Sequence, residues 1–199
     1  DGISLHSVNN DASPIFLSDF YTGYDAMWNE IKSIAEANGF HGEYIADELN
    51  YRSNDSFALQ PEDNGNLHPY EPEIAAKYIG RMIAINLGLD ISVGTSGTNA
   101  YKRPIEGNMI RNMAYLFDGL HANSFPVNVH SESEHVRYYT FVDEHRNKYI
   151  AIWDDGEAKV ISDNFAGSII IDDTSAMSVM VMDPFNSKMQ NVKFSNVEN

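Results

Sequence analysis

Strand-like and helix-like runs alternate three times in the first 120 or so residues, and this alternation limits the possible folds more than any other feature of the chain. Asp1-Gly2-Ile3-Ser4-Leu5-His6 reads as a strand. Ser18-Asp19 can cap a helix in which Phe20, Tyr24, Met27, Ile31 and Ile34 recur at spacings of three and four, the signature of one apolar helical face. Asn38-Gly39 ends that helix, His41-Gly42 marks a break, and Glu43-Tyr44-Ile45-Ala46-Asp47-Glu48 is a short strand that finishes in a carboxylate. Beyond a long polar connection, Pro72 suits a first helical position. Residues 73–87 then place Ala75, Tyr78, Ile79, Met82, Ile83 and Leu87 inward until Gly88 stops the helix. Residues 90–95 form a third strand and residues 108–120 a third helix, with Met109, Met113, Leu116, Phe117 and Leu120 on its buried side. Such alternation implies parallel strands joined by right-handed crossovers.

Past residue 125 the pattern changes to short strands separated by turns. Residues 136–142, 148–153, 159–161, 168–171, 178–182 and 191–194 read as strands, divided by Asp-rich, Asp154-Asp155-Gly156 and Pro-Phe-Asn turns. The expected class is therefore α/β plus all-β. Residues 1–125 form the first unit and residues 134–199 a small antiparallel β-sandwich, with the boundary in residues 124–133. Its acids, Asp154, Asp155, Asp172 and Asp173, sit in turns, where Asp bonds the local backbone.

Charge and composition narrow the function classes. A net charge of −16 repels phosphate backbones and anionic membranes, so neither nucleic acid nor membrane is expected as a partner, whereas neutral sugars are not repelled. Excess acid also marks proteins of saline habitats. The absence of cysteine removes disulfide and thiolate chemistry but leaves the compartment open. The seven histidines show no metal-ligand spacing, and there is no glycine-rich phosphate loop or serine elbow, so no cofactor or metal is assigned.

The residue that draws attention is Glu48. Parallel α/β sheets place ligands at the carboxyl ends of their strands, and Glu48 stands where the second strand emerges, ahead of a polar stretch over residues 50–65. A connection of roughly 20 residues is long for a compact domain and points to function or mobility. Asp47, its neighbour on a strand, is expected to point to the opposite face.

Three βα units followed by a small β-sandwich resemble the carboxyl-terminal half of a (β/α)8-barrel retaining glycoside hydrolase. Asp1 to His6 resemble the sixth barrel strand of that clan, Glu43 to Asn50 the seventh, and residues 73–93 the seventh helix and eighth strand. Tyr149-Ile150-Ala151-Ile152-Trp153 resembles a strand of the appended sandwich. The resemblance implies a partial (β/α)8 barrel, units six to eight, with Glu48 as the nucleophile. It also implies that His6, Asn50, Tyr51 and Tyr101 contact the substrate, although the tryptophan common at the eighth strand end is missing. Retaining glycosidases need a second carboxyl group roughly 5–5.5 Å from the nucleophile. In that clan the second group follows an asparagine on strand four, which this chain lacks. Its Asn29-Glu30 pair lies in the first helix beside Trp28.

The functional expectation is thus a glycoside hydrolase acting with retention on an oligosaccharide or polysaccharide, or a fragment of one. The fragment would be a partial reading frame, a truncated chain or one half of an assembled barrel. Alone it is expected to be inactive and to join its exposed barrel edges in a homodimer. The alternatives are a non-catalytic carbohydrate-binding or assembly protein, and an unrelated α/β domain in which Glu48 is structural.

Overall fold

A computed structural model describes residues 1–6, 15, 19–49, 51, 53, 70–95, 103–161, 165–171 and 178–195. Among them run β1 (Gly2–Leu5), α1 (Asp19–Ala37), β2 (Glu43–Leu49), α2 (Pro72–Gly88), β3 (Ser92–Thr95) and α3 (Pro104–Phe117). Seven further strands follow: β4 (His121–Ala122), β5 (Val127–Ser131), β6 (Val136–Val142), β7 (Lys148–Asp154), β8 (Gly167–Ile171), β9 (Val179–Asp183) and β10 (Lys188–Val192). No helix among the described residues is long and apolar enough to cross a membrane.

The strands form four separate small sheets. β1, β2 and β3 pair in parallel in that order. β4, β6 and β7 make an antiparallel sheet of three, while β5 with β8 and β9 with β10 make antiparallel pairs. The expected architecture is corrected here. The described residues comprise three helices and sheets of two or three strands, an α/β chain with small sheets, and nothing in them forms part of a (β/α)8 barrel followed by a sandwich. The physical reason lies in strand length and pairing. β1 and β3 are four residues each, and the later strands divide among three sheets of two or three strands. The homodimer expected from open barrel edges loses its premise with the barrel.

α2 is the centre of the packing. Ala75, Ala76, Tyr78, Ile79, Met82, Ile83, Ala84 and Ile85 are all buried, so this helix is covered on nearly every side. Gly80 lets α3 approach, since a Cβ there would stand 3.0 Å from the Met109 sulfur. At Gly88 a Cβ would overlap the Tyr139 ring, so β6 packs directly on the helix end. Asn86 is buried and satisfied: its amide donates to Met82 O at 2.8 Å and its carbonyl oxygen accepts from the Tyr24 hydroxyl at 2.8 Å.

α1 contributes Tyr21, Tyr24 and Trp28 to this core, a stripe at spacings of three and four. Of the apolar face expected from Phe20 to Ile34, Tyr24 is buried and Met27 and Ile31 pack against the core, while Ile34 is 58% exposed. The Tyr21 and Tyr24 hydroxyls find partners there in Asp155 and Asn86. The helix closes at Gly39, whose φ of 82° only glycine adopts without strain.

A polar network fastens β6 and β7 to α1. Tyr21 donates to Asp155, and Trp153 Nε1 donates to the same carboxylate oxygen at 2.6 Å. Arg137 bonds Asp25 at 2.6 Å, Tyr139 donates to Asp25 at 2.7 Å, and the Tyr139 ring stacks on Trp153. Asp155 was expected to bond the local backbone of a turn; its side chain is instead buried and bonds Tyr21 and Trp153. Burial pushes its carboxyl above the usual range, against the pull of Tyr21, Trp153, Arg137 and Arg81. One further reading changes. Residues 159–161 form no strand, because the Lys159 and Val160 carbonyls accept from Lys77 on α2 instead of a ladder partner. β5, paired with β8, occupies the stretch read as a boundary.

Candidate functional site

β1 and β2 run side by side with Leu5 opposite Ala46, so their carboxyl ends emerge together. There His6 meets two carboxylates: Nε2 contacts Glu48 Oε2, and Nδ1 lies 3.2 Å from Asp47 Oδ1. One imidazole thus bridges two neighbouring acids.

Adjacent strand residues normally face opposite ways, which is why Asp47 was set aside from sequence. The pairing of β2 with β3 explains the outcome. Ala46 pairs with Val93 and Leu49 with Thr95, so Asp47 and Glu48 both stand opposite the single residue Gly94. This extra residue is a bulge, a device that re-aims side chains next to functional sites. Gly94 accommodates it, because a Cβ there would lie 2.5 Å from the Asp47 carbonyl oxygen. A glycine inside a strand is the sequence signal for such a bulge, and Val93-Gly94-Thr95 carries it.

The two acids differ in setting. The Glu48 side chain is 24% exposed, so the protein shields much of it, while Asp47 and His6 are open to solvent. The Ser4 hydroxyl, and after it His6, hold the Asp47 carboxyl below the ordinary range. Ser4 also belongs to the cluster and was not singled out from sequence. Chemically, both contacts to the imidazole are satisfied together when it is protonated and donates from each nitrogen. A His–carboxylate pair of this kind can exchange protons with a substrate held at the rim.

The other expected substrate contacts are distributed differently. Tyr51 is completely buried, with Tyr70 and Tyr78 rings 6.0 and 5.6 Å away, and its carbonyl accepts from Arg103. Its side chain belongs to the core. Asn50, Tyr101 and His68 lie outside the described residues. Among the described residues no group of three or more His, Cys, Asp or Glu is arranged to hold a metal ion. A cleft of about 550 Å3 lies at the opposite, amino-terminal end of the parallel sheet, and neither His6 nor Glu48 lines it.

No known protein family model matches this chain, and no curated protein matches it. The resemblance to barrel glycoside hydrolases therefore fails on the fold and gains nothing from comparison.

Proposed function

We propose that Glu48, His6 and Asp47 form a site for hydrolysis of glycosidic bonds, with Glu48 as nucleophile and His6 as proton carrier. The contact between the Glu48 carboxylate and His6 Nε2 at the carboxyl rim of the parallel sheet carries this reading. In a double displacement the carboxylate attacks the anomeric carbon while an acid protonates the departing oxygen, and the same group then deprotonates the attacking water. Asp47 orients the imidazole through Nδ1, as a carboxylate does for a working histidine. The acidic surface is compatible with a neutral sugar substrate. The expectation of inactivity rested on the missing fourth strand of a barrel that the chain does not form, so turnover becomes the deciding measurement.

Aryl glycosides provide that measurement. Glu48→Gln is expected to lower kcat/KM by about 10²–10⁴, and His6→Gln to act mainly on substrates with poor leaving groups. Turnover unchanged by Glu48→Gln sinks the proposal. A second reading, non-catalytic carbohydrate binding, is favoured by one observation: Glu48 and the His6 imidazole are in direct contact, so no interval between nucleophile and acid is open for a glycosidic bond. Glycan-array binding that depends on His6, without turnover by the unaltered chain, would select it.

A further inference from the structure

Ala46 and Leu49 are both buried, at 0% and 1% exposure, and they stand three residues apart on β2. In an unbroken strand, residues an odd number apart face opposite sides, so a regular β2 would bury one of the two and expose the other. The parity of burial changes between them. Tyr44 and Ala46 are buried before the change, Leu49 and Tyr51 after it, each pair two residues apart. One extra residue in β2 reconciles the two halves, and the pairing supplies it: Ala46 to Leu49 spans three steps where Val93 to Thr95 spans two. The bulge keeps the core continuous to the end of the strand, and Asp47 and Glu48 are the residues caught in it.

That bulge sets a requirement on the neighbouring strand. A Cβ at position 94 would lie 2.5 Å from the Asp47 carbonyl oxygen, 3.0 Å from its carbonyl carbon and 3.1 Å from its Cα. All three are backbone atoms, which cannot swing aside as the end of a side chain can. Gly94 is not among the glycines with positive φ, so the requirement is for space and not for an unusual backbone conformation.

We propose that Gly94 is a positioning residue of the rim site, acting through Asp47. Asp47 accepts from the Ser4 hydroxyl and reaches His6 Nδ1 at 3.2 Å, while the other ring nitrogen contacts Glu48. Two acids share one imidazole only while position 94 carries no side chain. A side chain there displaces the Asp47 backbone and leaves Nδ1 without its carboxylate. The effect on turnover rests on the hydrolytic reading of the rim; the effect on Asp47 and His6 does not.

Gly94→Ala tests the assignment. The Asp47 titration, followed by carboxyl carbon NMR, should move up toward the ordinary Asp range as the Ser4 and His6 contacts are lost. The His6 Nδ1 resonance should move with it. On aryl glycosides kcat should fall about 10–100-fold with KM little changed. In a chain that already carries Asp47→Ala, the glycine substitution should lower kcat no further, because the carboxylate through which it acts is gone. Should Gly94→Ala not fold, deletion of Asp47 from that variant decides. The deletion removes the extra residue, leaves Ala46, Glu48 and Leu49 in strict alternation, and should restore folding. An unmoved Asp47 titration and Nδ1 resonance, an undiminished effect of Gly94→Ala on kcat beside Asp47→Ala, or an unfolded variant that the deletion does not rescue would each overturn the proposal. Absence of turnover by the unaltered chain sinks the hydrolytic reading instead, and the two resonances then decide the role of Gly94.

Discussion

Met82 and Met180 are the same residue in two different worlds. Met82, on α2, is completely buried, whereas Met180, on β9, is 61% exposed. The contrast extends around them. Ile79 and Ile85 are buried beside Met82, while Val181, Met189 and Val192 on the β9–β10 pair, and Ile169 and Ile170 on β8, are exposed. Apolar content is therefore no guide to burial in this chain; a covering layer is. α2 has the parallel sheet, α3 and β6 around it, and a two-stranded sheet has little to pack against.

The largest expected effect breaks or sustains this contrast directly. Met82→Ala should lower unfolding free energy by about 2–5 kcal/mol, the cost of a cavity in a packed core. A loss below that measured by urea denaturation would mean that α2 is not the centre of the fold. Next comes Asp155→Ala, which leaves the Tyr21 hydroxyl and the Trp153 indole without their acceptor and should cost about 1–3 kcal/mol. Its pH dependence has a definite sign. The folded Asp155 carboxyl takes up a proton more readily than the unfolded one, so its contribution is full below the ordinary Asp range and lost as pH rises through the raised value. Asp155→Asn should flatten that loss in stability measured across mildly acidic pH. At the small end, Met180→Ala should stay within about 0.5 kcal/mol, and a larger loss would reveal a cover over β9.

The last effect touches no core at all. Asp47, exposed and held low by Ser4 and His6, contributes fully above the ordinary Asp range, and that contribution is lost as pH falls through its lowered value. Ser4→Ala should move the Asp47 titration upward, read by carboxyl carbon NMR, with at most a slight loss of thermal stability at neutral pH. An unmoved titration would leave the Ser4 contact without effect.

Much of the local structure was legible because apolar spacing is a local property. The turn chemistry of Asn38-Gly39 and Gly88 located helix ends, and the inward residues named for α2 are buried except Leu87, which is only partly covered, while Ala76, Ala84 and Ile85 are buried as well. What failed depended on partners distant in sequence. The apolar stripe of α1 was read in part: Tyr24, Met27 and Ile31 do face the core, but Tyr21 and Trp28 join them there and Ile34 does not, which only tertiary neighbours decide. The barrel reading failed because three strand–helix alternations are common to many α/β arrangements, and the number of strands in a sheet is not written in any one of them. At the site, Glu48 and His6 could be named from strand ends. Asp47 was lost because strict alternation was assumed across residues that Gly94 allows to bulge.

The pairing of Tyr21 with Asp155 joins groups 134 residues apart, and Asp25 with Arg137 joins groups 112 apart. Contacts of such long sequence separation demand loop closure before they return any stability, and chains that rely on them fold slowly. During synthesis the helices of the first half can form while the residues that lock Tyr21 are still being made. The Asp25 carboxylate waits in water until β6 arrives, and the Tyr21 phenol until Asp155 has been made just past the end of β7.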